Sequence, residues 1–361
     1  MNFDFSDDQK MLADHARQFL GETCTFDRLR EFVASGEDYD RALWQQMVEL
    51  GWPGLSVPEA AGGLGLGVLE LCLLSEEIGR VLAPVPFFST VCQAVPLLEQ
   101  AGGEVADSLL ARIAAGTCTV AVANPDQGHS LELGGNSCLD GALAPVAWLH
   151  CADVLLVTAS ETDGTAVLLS VELDQPGVQR ERLAAQVLDS VSAWGAAHFD
   201  KALTTVLARG ELVVALNHKL RLRSAVLLAF EQLGGADSAC TMARDYSLER
   251  YTFGRQIGGY QAIKHKLADV RVAIELARSN AYYGAWALYT DSPELPRAAA
   301  LARISGTETF TLAAEENLQV HGGIGYTWEA NCHFYYQRAR LLAVAVGGPD
   351  QWAAELLESI R

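Results

Sequence analysis

Two arginines around a glycine-rich corner are the residues whose types and spacing most plainly suggest chemistry. Arg250 and Arg255 each offer a planar fork of N–H donors that suits a phosphate or a carboxylate. Gly254, Gly258 and Gly259 would let the backbone approach such a ligand closely. A helix hairpin with solvated arginines accounts for the same residues, so these local features leave both interpretations open.

Helical periodicity on both sides of this corner predicts two long helices that meet there. The apolar positions before the corner are Leu227, Leu228, Leu233, Ala236, Ala239, Cys240 and Ala243, and those after it are Ile263, Leu267, Val270, Ile274 and Ala277. A later run, Gln319-Val-His-Gly-Gly-Ile-Gly-Tyr326, predicts either a backbone site for a dinucleotide or a glycine C-cap of a helix.

Composition limits the classes of function. A chain of 361 residues is long enough for two or three packed units, and its net charge of −19 argues against general affinity for nucleic acid or an anionic membrane. Its eight cysteines show neither C-x-x-C pairs nor zinc spacing, which predicts reduced thiols and no metal site. The acidic start lacks a signal-peptide pattern, and no apolar run is long enough to cross a membrane. We therefore expect a soluble, cytoplasmic protein.

The periodicity changes twice along the chain. Residues 1–115 are predicted to be helical and to open with a capping box, Ser6 to Gln9. Short runs rich in Val, Thr and Leu follow between 116 and 205 and predict a small β domain; they are Thr117–Val122, Val154–Ala159, Thr165–Val171 and Ala196–Phe199. Residues 206–361 are predicted to be helical again. Glu59, Glu76 and Glu77 are interpreted as solvated surface carboxylates, not as an acid–base pair.

Three segments together resemble the acyl-CoA dehydrogenase family. Tyr246–Asp269 is similar to its Y-x-x-x-R-x-x-F-G-x-x-I-x-x-x-Q-x-x-x-x-x-L-A-D, and Gln319–Tyr326 to its Q-x-x-G-G-x-G-[YF]. Leu50–Gly67 is similar to L-G-W-x-G-L-x-V-P-E-x-x-G-G-L-G-x-G. The resemblance implies an α+β fold with a helical domain (1–115), a shortened β-barrel-like domain (116–205) and a C-terminal four-helix-bundle domain (206–361).

The resemblance also implies one half of an FAD site. In the family, the pyrophosphate and adenosine of FAD are held across a subunit interface by the neighbouring chain. The positions that match those residues are Arg250, Thr252, Phe253, Gln261, Gln319, Val320, Gly322 and Gly323. This chain is therefore expected to complete a cofactor site in trans.

The flavin-ring half of the family's site is poorly matched. The family's T-E-P-x-x-G-S-D becomes Ala123–Ser130, which keeps only Pro125 and Gly128. Its W-[IT]-x-N corresponds at best to Val146–His150. We expect a β domain that has lost the polar groups facing an isoalloxazine.

The two positions at which the family carries its catalytic glutamate hold other residues. An ungapped count from the Gln319 run places one at Val346, and a count back from Arg250 places the other at Ser224. A shift by one residue brings in Gly347 or Arg223, and neither is a carboxylate. Asp350 is an outside candidate for a relocated base, whereas Glu231, two turns after Ser224, is expected to face elsewhere.

This asymmetry favours a non-catalytic β subunit of an α2β2 acyl-CoA dehydrogenase that shares FAD with a catalytic partner. The partner would hold the acyl-CoA, such as the thioester of a steroid side chain or another bulky acyl group, and an electron-accepting flavoprotein would reoxidise the enzyme. Two alternatives remain open at this point: a self-sufficient homotetramer with a relocated base, and a non-enzymatic acyl-CoA-binding scaffold.

Overall fold

The N-terminal region is helical, as predicted. A computed structural model describes residues 5–123, 130–134, 137–183 and 188–360. Its first helices are α1 (Asp7–Thr23), α2 (Phe26–Ser35), α3 (Arg41–Glu49), α4 (Val68–Val81), α5 (Val95–Ala101) and α6 (Glu104–Ala114), with a π-helical segment at Phe88–Ala94. The predicted capping box is confirmed: Ser6 Oγ accepts from Gln9 N at 3.2 Å, and Gln9 Oε1 accepts from Ser6 N at 2.9 Å.

The middle region forms one sheet. Its strands are β1 (Val120–Val122), β2 (Ser130–Leu133), β3 (Cys138–Ala147), β4 (Val154–Glu161), β5 (Ala166–Glu172), β6 (Val178–Arg182), β7 (Trp194–Leu203) and β8 (Thr205–Arg209). In the described part of the chain they form an open path β6-β7-β3-β2-β4-β5-β8, and β1 pairs with β4. Among the described pairs of this sheet, only β1–β4 and β2–β4 are parallel. The four predicted strand runs all fall on strands, whereas β2, β3, β6 and β8 were not predicted.

The C-terminal region is helical except for one small hairpin. It contains α7 (Glu211–Glu249), β9 (Tyr251–Thr252), β10 (Arg255–Gln256), α8 (Gln261–Tyr289), α9 (Leu295–His321), α10 (Cys332–Leu342) and α11 (Pro349–Ile360). The two long helices predicted around the corner are α7 and α8, and their apolar positions Leu227, Leu233, Val270 and Ile274 are buried. The helical, β, helical order that the sequence predicts is therefore confirmed.

The described elements form two compact units, and each unit combines stretches that are separated along the chain. One contains the residues up to Leu29, Val68–Ala83 and the chain from Leu222 onward; the other contains 30–67 and 84–221. In the second unit the strands bury both faces. Val154 and Leu156 of β4 face the apolar side chains of α5, α6 and the start of α7, while Leu155 and Val157 face a second core. The predicted domain boundaries at 115 and 205 stay predictions.

In the first unit, α4 and α7 cross with their backbones in contact. A Cβ at Gly234 would lie 1.8 Å from the carbonyl oxygen of Glu76, and one at Gly79 would lie 2.0 Å from that of Glu231. Only glycine fits at such a crossing, because any side chain would overlap the opposing backbone. These two glycines set the distance between the helices.

The interpretation of Glu76 and Glu77 as surface carboxylates is wrong, although Glu59 is exposed as predicted. Glu76 and Glu77 are 5% and 2% exposed. Arg80 lies 2.9 Å from Glu77 and 2.5 Å from Asp237 of α7, and Arg278 of α8 lies 2.8 Å from Glu76. Burial of these carboxylates is tolerated because each is paired with a guanidinium. Arg80 is a local partner, but periodicity could not reveal the distant partner Arg278 or the packing that buries these carboxylates.

Candidate functional site

The hairpin after α7 presents Phe253 to solvent. Arg255 pairs with Thr252 and Gln256 with Tyr251, so that Phe253 and Gly254 form a two-residue turn. Both turn residues have positive φ, 52° at Phe253 and 80° at Gly254, as a type I′ turn requires. The left-handed conformation costs a bulky residue roughly 1–2 kcal/mol, and yet the Phe253 side chain is 93% exposed. Phe253 therefore presents a large apolar surface to solvent on a strained turn.

The corner after the hairpin packs closely on the end of α7. A Cβ at Gly258 would lie 2.8 Å from Ser247 Oγ and 3.0 Å from the Ser247 carbonyl oxygen. Glycine is therefore needed there for the backbone to approach α7. Gln261 follows as the first residue of α8, and its side chain is exposed. Arg250, Thr252, Phe253 and Gln261 thus all lie on an exposed surface.

The second predicted segment closes α9. His321 is its last residue, and Gly322 ends it with a φ of 63°, which fits the predicted glycine C-cap. Gln319 and Gly323 are exposed, and no atom lies within 4 Å of the Cβ position of Gly323. Val320 is buried and faces the protein. A C-cap and an open backbone surface therefore coexist here.

An aromatic stack brings the two segments together. The rings of Tyr246, one turn before the end of α7, and His321 lie 4.1 Å apart at an interplanar angle of 21°. His321 Nδ1 donates to the Asn317 carbonyl at 2.8 Å, and burial lowers the pKa of His321, which leaves a neutral ring in the stack. Lys266 of α8 and Glu316 of α9 form an ion pair at 2.6 Å. No local pattern predicts these contacts between residues so distant in sequence.

A cavity of about 540 Å³ adjoins this stack. Its lining includes Asp245 and Glu249 of α7, together with Arg80, whose guanidinium is already paired with three carboxylates. Carboxylates disfavour an anionic dinucleotide in this cavity. The exposed arginines of the hairpin are the better place for a phosphate.

The two predicted glutamate positions hold buried residues that cannot accept a proton. Val346 is 3% exposed, and its carbonyl accepts from the fully buried indole of Trp352 at 2.8 Å. Ser224 is fully buried in α7. At both positions the surroundings favour packing over proton transfer.

The carboxylates nearest to these positions have structural partners. Asp350 is exposed in the first turn of α11, where a carboxylate stabilises the helix N-terminus. Glu231 is 6% exposed and lies 3.0 Å from Arg338 of α10, while nearby Arg303 donates to the Leu342 carbonyl. The Glu231 carboxylate is therefore engaged in a buried ion pair within the helical core.

Of the two predicted flavin-ring segments, only the second lies wholly within the described residues. Asn124 to His129 of the first segment lie outside the described residues. In the second segment β3 ends at Ala147, and Trp148 follows with a φ of 63° and a buried side chain. The Trp148 carbonyl accepts from the backbone N–H groups of Cys151 and Ala152 at 3.2 and 3.0 Å, so the segment forms a turn, and the Trp148 backbone N–H ties it to the Ala193 carbonyl at 2.8 Å.

The comparisons identify the class of protein. Residues 6–117 match the acyl-CoA dehydrogenase N-terminal domain and residues 222–358 the acyl-CoA dehydrogenase C-terminal domain. This chain belongs to the acyl-CoA dehydrogenase family, whose members are FAD oxidoreductases that act on acyl-CoA. Its helical, β-sheet and helical domains constitute the fold of that family.

Among its relatives is acyl-CoA dehydrogenase IpdE2 of Mycobacterium tuberculosis, 26% identical over 98% of this chain and 94% of the relative. FadE27 of the same organism is 28% identical over 96% of this chain and 95% of its own length. The ChsE4–ChsE5 complex of that organism contains a chain with a TM-score of 0.90 and 25% identity, covering 100% of this chain and 99% of that one. A chain of a variant of the Tcur3481–Tcur3483 steroid acyl-CoA dehydrogenase has a TM-score of 0.87 and 29% identity, and the match covers 98% of each chain.

The described residues form neither a metal site nor a membrane span. No group of three or more His, Cys, Asp or Glu side chains there could hold a metal ion. No helix of that part is both long and apolar enough to cross a bilayer. All eight cysteines are free, and five of them are buried.

Proposed function

We propose that this chain is the non-catalytic subunit of a heteromeric acyl-CoA dehydrogenase. It would complete, from outside, the adenosine and pyrophosphate side of an FAD that its partner subunit holds by the ring side. The partner would supply the base that removes the α-proton of the thioester. Bound FAD would accept the hydride from Cβ.

One contrast carries this proposal: most residues of the half-site are exposed, with Val320 buried, whereas both predicted base positions are buried and lack a carboxylate. Phe253 is 93% exposed, and Val346 and Ser224 are 3% and 0% exposed. Arg250 forms no ion pair with any residue that the structure describes, so its charge is available to a pyrophosphate. These residues fit the ADP portion of FAD and do not fit the chemistry at its ring.

The similar proteins support a shared site and a bulky substrate. ChsE4–ChsE5 is a complex, and Tcur3481–Tcur3483 is a steroid acyl-CoA dehydrogenase named for two components. We infer a steroid side chain or a comparably bulky acyl group as the substrate of the assembled enzyme. An electron-accepting flavoprotein would then reoxidise it.

The visible spectrum tests this proposal directly. The chain is purified alone and after co-expression with a candidate catalytic acyl-CoA dehydrogenase of its own organism. We expect a colourless protein alone and, with the partner, a yellow complex with one FAD per pair of chains. Arg250→Ala should lower the FAD content of the complex, whereas Arg244→Ala, at an exposed arginine paired with Asp245, should not.

A chain that is yellow alone and is bleached by an acyl-CoA would refute the proposal. That result would favour a self-sufficient enzyme, and Asp350→Asn would then identify or dismiss the relocated base. A complex that never contains FAD would instead favour an acyl-CoA-binding scaffold.

A further inference from the structure

A second arginine of the hairpin is held against an aromatic ring. The Arg255 guanidinium carbon lies 3.8 Å from the centroid of the Tyr260 ring, within the range of a cation–π contact. The aliphatic part of the Arg255 side chain passes over Gly259: Arg255 Cδ would lie 3.7 Å from a Cβ placed on that glycine. This contact fixes a long side chain that would otherwise sample many rotamers. The cation is thus positioned before any ligand arrives.

The same tyrosine braces the hairpin. Its hydroxyl donates to the Thr252 carbonyl at 2.9 Å, and its N–H donates to the Ile257 carbonyl at 3.0 Å. Thr252 is also the residue that pairs with Arg255 in the hairpin. Tyr260 therefore fixes both the strand that carries Arg255 and the direction of its guanidinium.

The charges of this corner are not balanced by the chain. Neither Arg250 nor Arg255 forms an ion pair with a described residue, although the chain has a net charge of −19 and 45 carboxylate side chains. Other arginines of the same unit, including Arg80, Arg271 and Arg278, are paired with carboxylates. Two uncompensated guanidinium groups in one short segment favour an anion with several oxygens, such as a diphosphate.

We propose that Arg255 is a second ligand for the diphosphate of the dinucleotide and that Tyr260 is its positioning residue. This inference rests on the proposed function, because the dinucleotide belongs to the site shared with the partner. Arg250 lies before β9 and Arg255 begins β10, and the Arg250 carbonyl accepts from Ile257 N at 2.8 Å. Arg250 therefore lies at the open end of the hairpin and Arg255 beside its turn, so one bound diphosphate would contact both residues of this short segment.

The test uses the co-purified complex and follows FAD release by the rise in flavin fluorescence. Arg255→Gln should raise the Kd for FAD about tenfold, the loss expected for one charge-assisted hydrogen bond. It should also flatten the dependence of that Kd on NaCl, because one screened contact is gone. Tyr260→Leu should approach the effect of Arg255→Gln, while Tyr260→Phe, which keeps the ring, should retain most of the affinity.

Controls separate this inference from the proposed function and from general damage. Arg250→Gln should weaken FAD binding, whereas Arg244→Gln should leave it unchanged. All five variants should keep the thermal stability of the wild type. If Arg250→Gln weakens FAD while Arg255→Gln stays within twofold of the wild type with an unchanged salt dependence, the inference is wrong and the proposed function stands. If Arg250→Gln does not change the Kd for FAD either, the proposed function is wrong as well. Equal losses for Tyr260→Phe and Tyr260→Leu would refute the role given to the ring.

Discussion

At the scale of single residues, Val346, one of the two positions at which the resemblance predicts a glutamate, is buried in a closed segment. Its side chain is 3% exposed, and its carbonyl is held by Trp352 Nε1 at 2.8 Å. Gly347 follows with a φ of 91°, and Gly348 N donates to Gln351 Oε1 at 3.0 Å. The segment is closed by its own hydrogen bonds, and a carboxylate placed there would have to displace them.

Val346→Glu is therefore expected to destabilise the chain without creating dehydrogenase activity. An uncompensated buried carboxylate costs about 3–5 kcal/mol, which urea unfolding measures. Val344→Glu is the matched control: Val344 is 62% exposed, and the same substitution there should stay within about 0.5 kcal/mol. A Val346→Glu protein as stable as the wild type, or one that oxidises an acyl-CoA, would contradict this account.

At the scale of elements, the crossing of α4 and α7 depends on two glycines. Gly79 and Gly234 each lie against a backbone carbonyl of the opposing helix, at distances that leave no room for a Cβ. An ion pair also joins the two helices, so a shift of one helix would disturb the contact between Arg80 of α4 and Asp237 of α7. Close packing and charge pairing thus support the same arrangement.

Gly234→Ala should destabilise the chain by about 3 kcal/mol, because the new methyl group would overlap the Glu76 carbonyl. Alanine is otherwise the better helix former, so the effect is opposite to that of helix propensity. Gly21→Ala, at an exposed position of α1 with no atom within 4 Å of the Cβ site, should stabilise the chain by about 0.5–1 kcal/mol. Thermal unfolding of the two variants measures both signs, and a neutral Gly234→Ala would show that the helices can separate.

At the scale of the whole molecule, stability against acid depends on a charge network. In the first compact unit Arg17 of α1, Arg80 of α4, Asp237 of α7 and Arg271 of α8 belong to it, together with Glu76, Glu77 and Arg278. Burial by itself would raise the pKa of Asp237, but the hydrogen bond and charge of Arg80 and the charges of Arg271 and Arg278 lower it below its ordinary value. The charged form of Asp237 therefore stabilises the fold.

A folded-state pKa below the unfolded one gives stability that is present above about pH 4, the ordinary aspartate value. That stability is lost as the pH falls through the lower folded value. Asp237→Asn should lower the free energy of unfolding by about 1.5–3 kcal/mol at pH 7. It should also reduce the loss of stability that accompanies a fall in pH, which is the acid limb of the profile. Asp245→Asn, whose partner is the adjacent exposed Arg244, should leave that limb unchanged. Urea midpoints between pH 3 and 7 measure both, and parallel profiles for Asp237→Asn and the wild type would exclude this role.

The sequence by itself determined the order of helical and β regions, the two long helices around the glycine corner, the glycine C-cap after α9 and the N-terminal capping box. These depend on local periodicity, glycine turns and residue identity, which neighbours along the chain decide. Only the tertiary structure decided that Glu76 and Glu77 are buried, that Tyr246 stacks on His321 and that Glu231 is held by Arg338. Each of these depends on a partner 60 or more residues away, and burial and pairing at such separations come from packing, which no local pattern encodes.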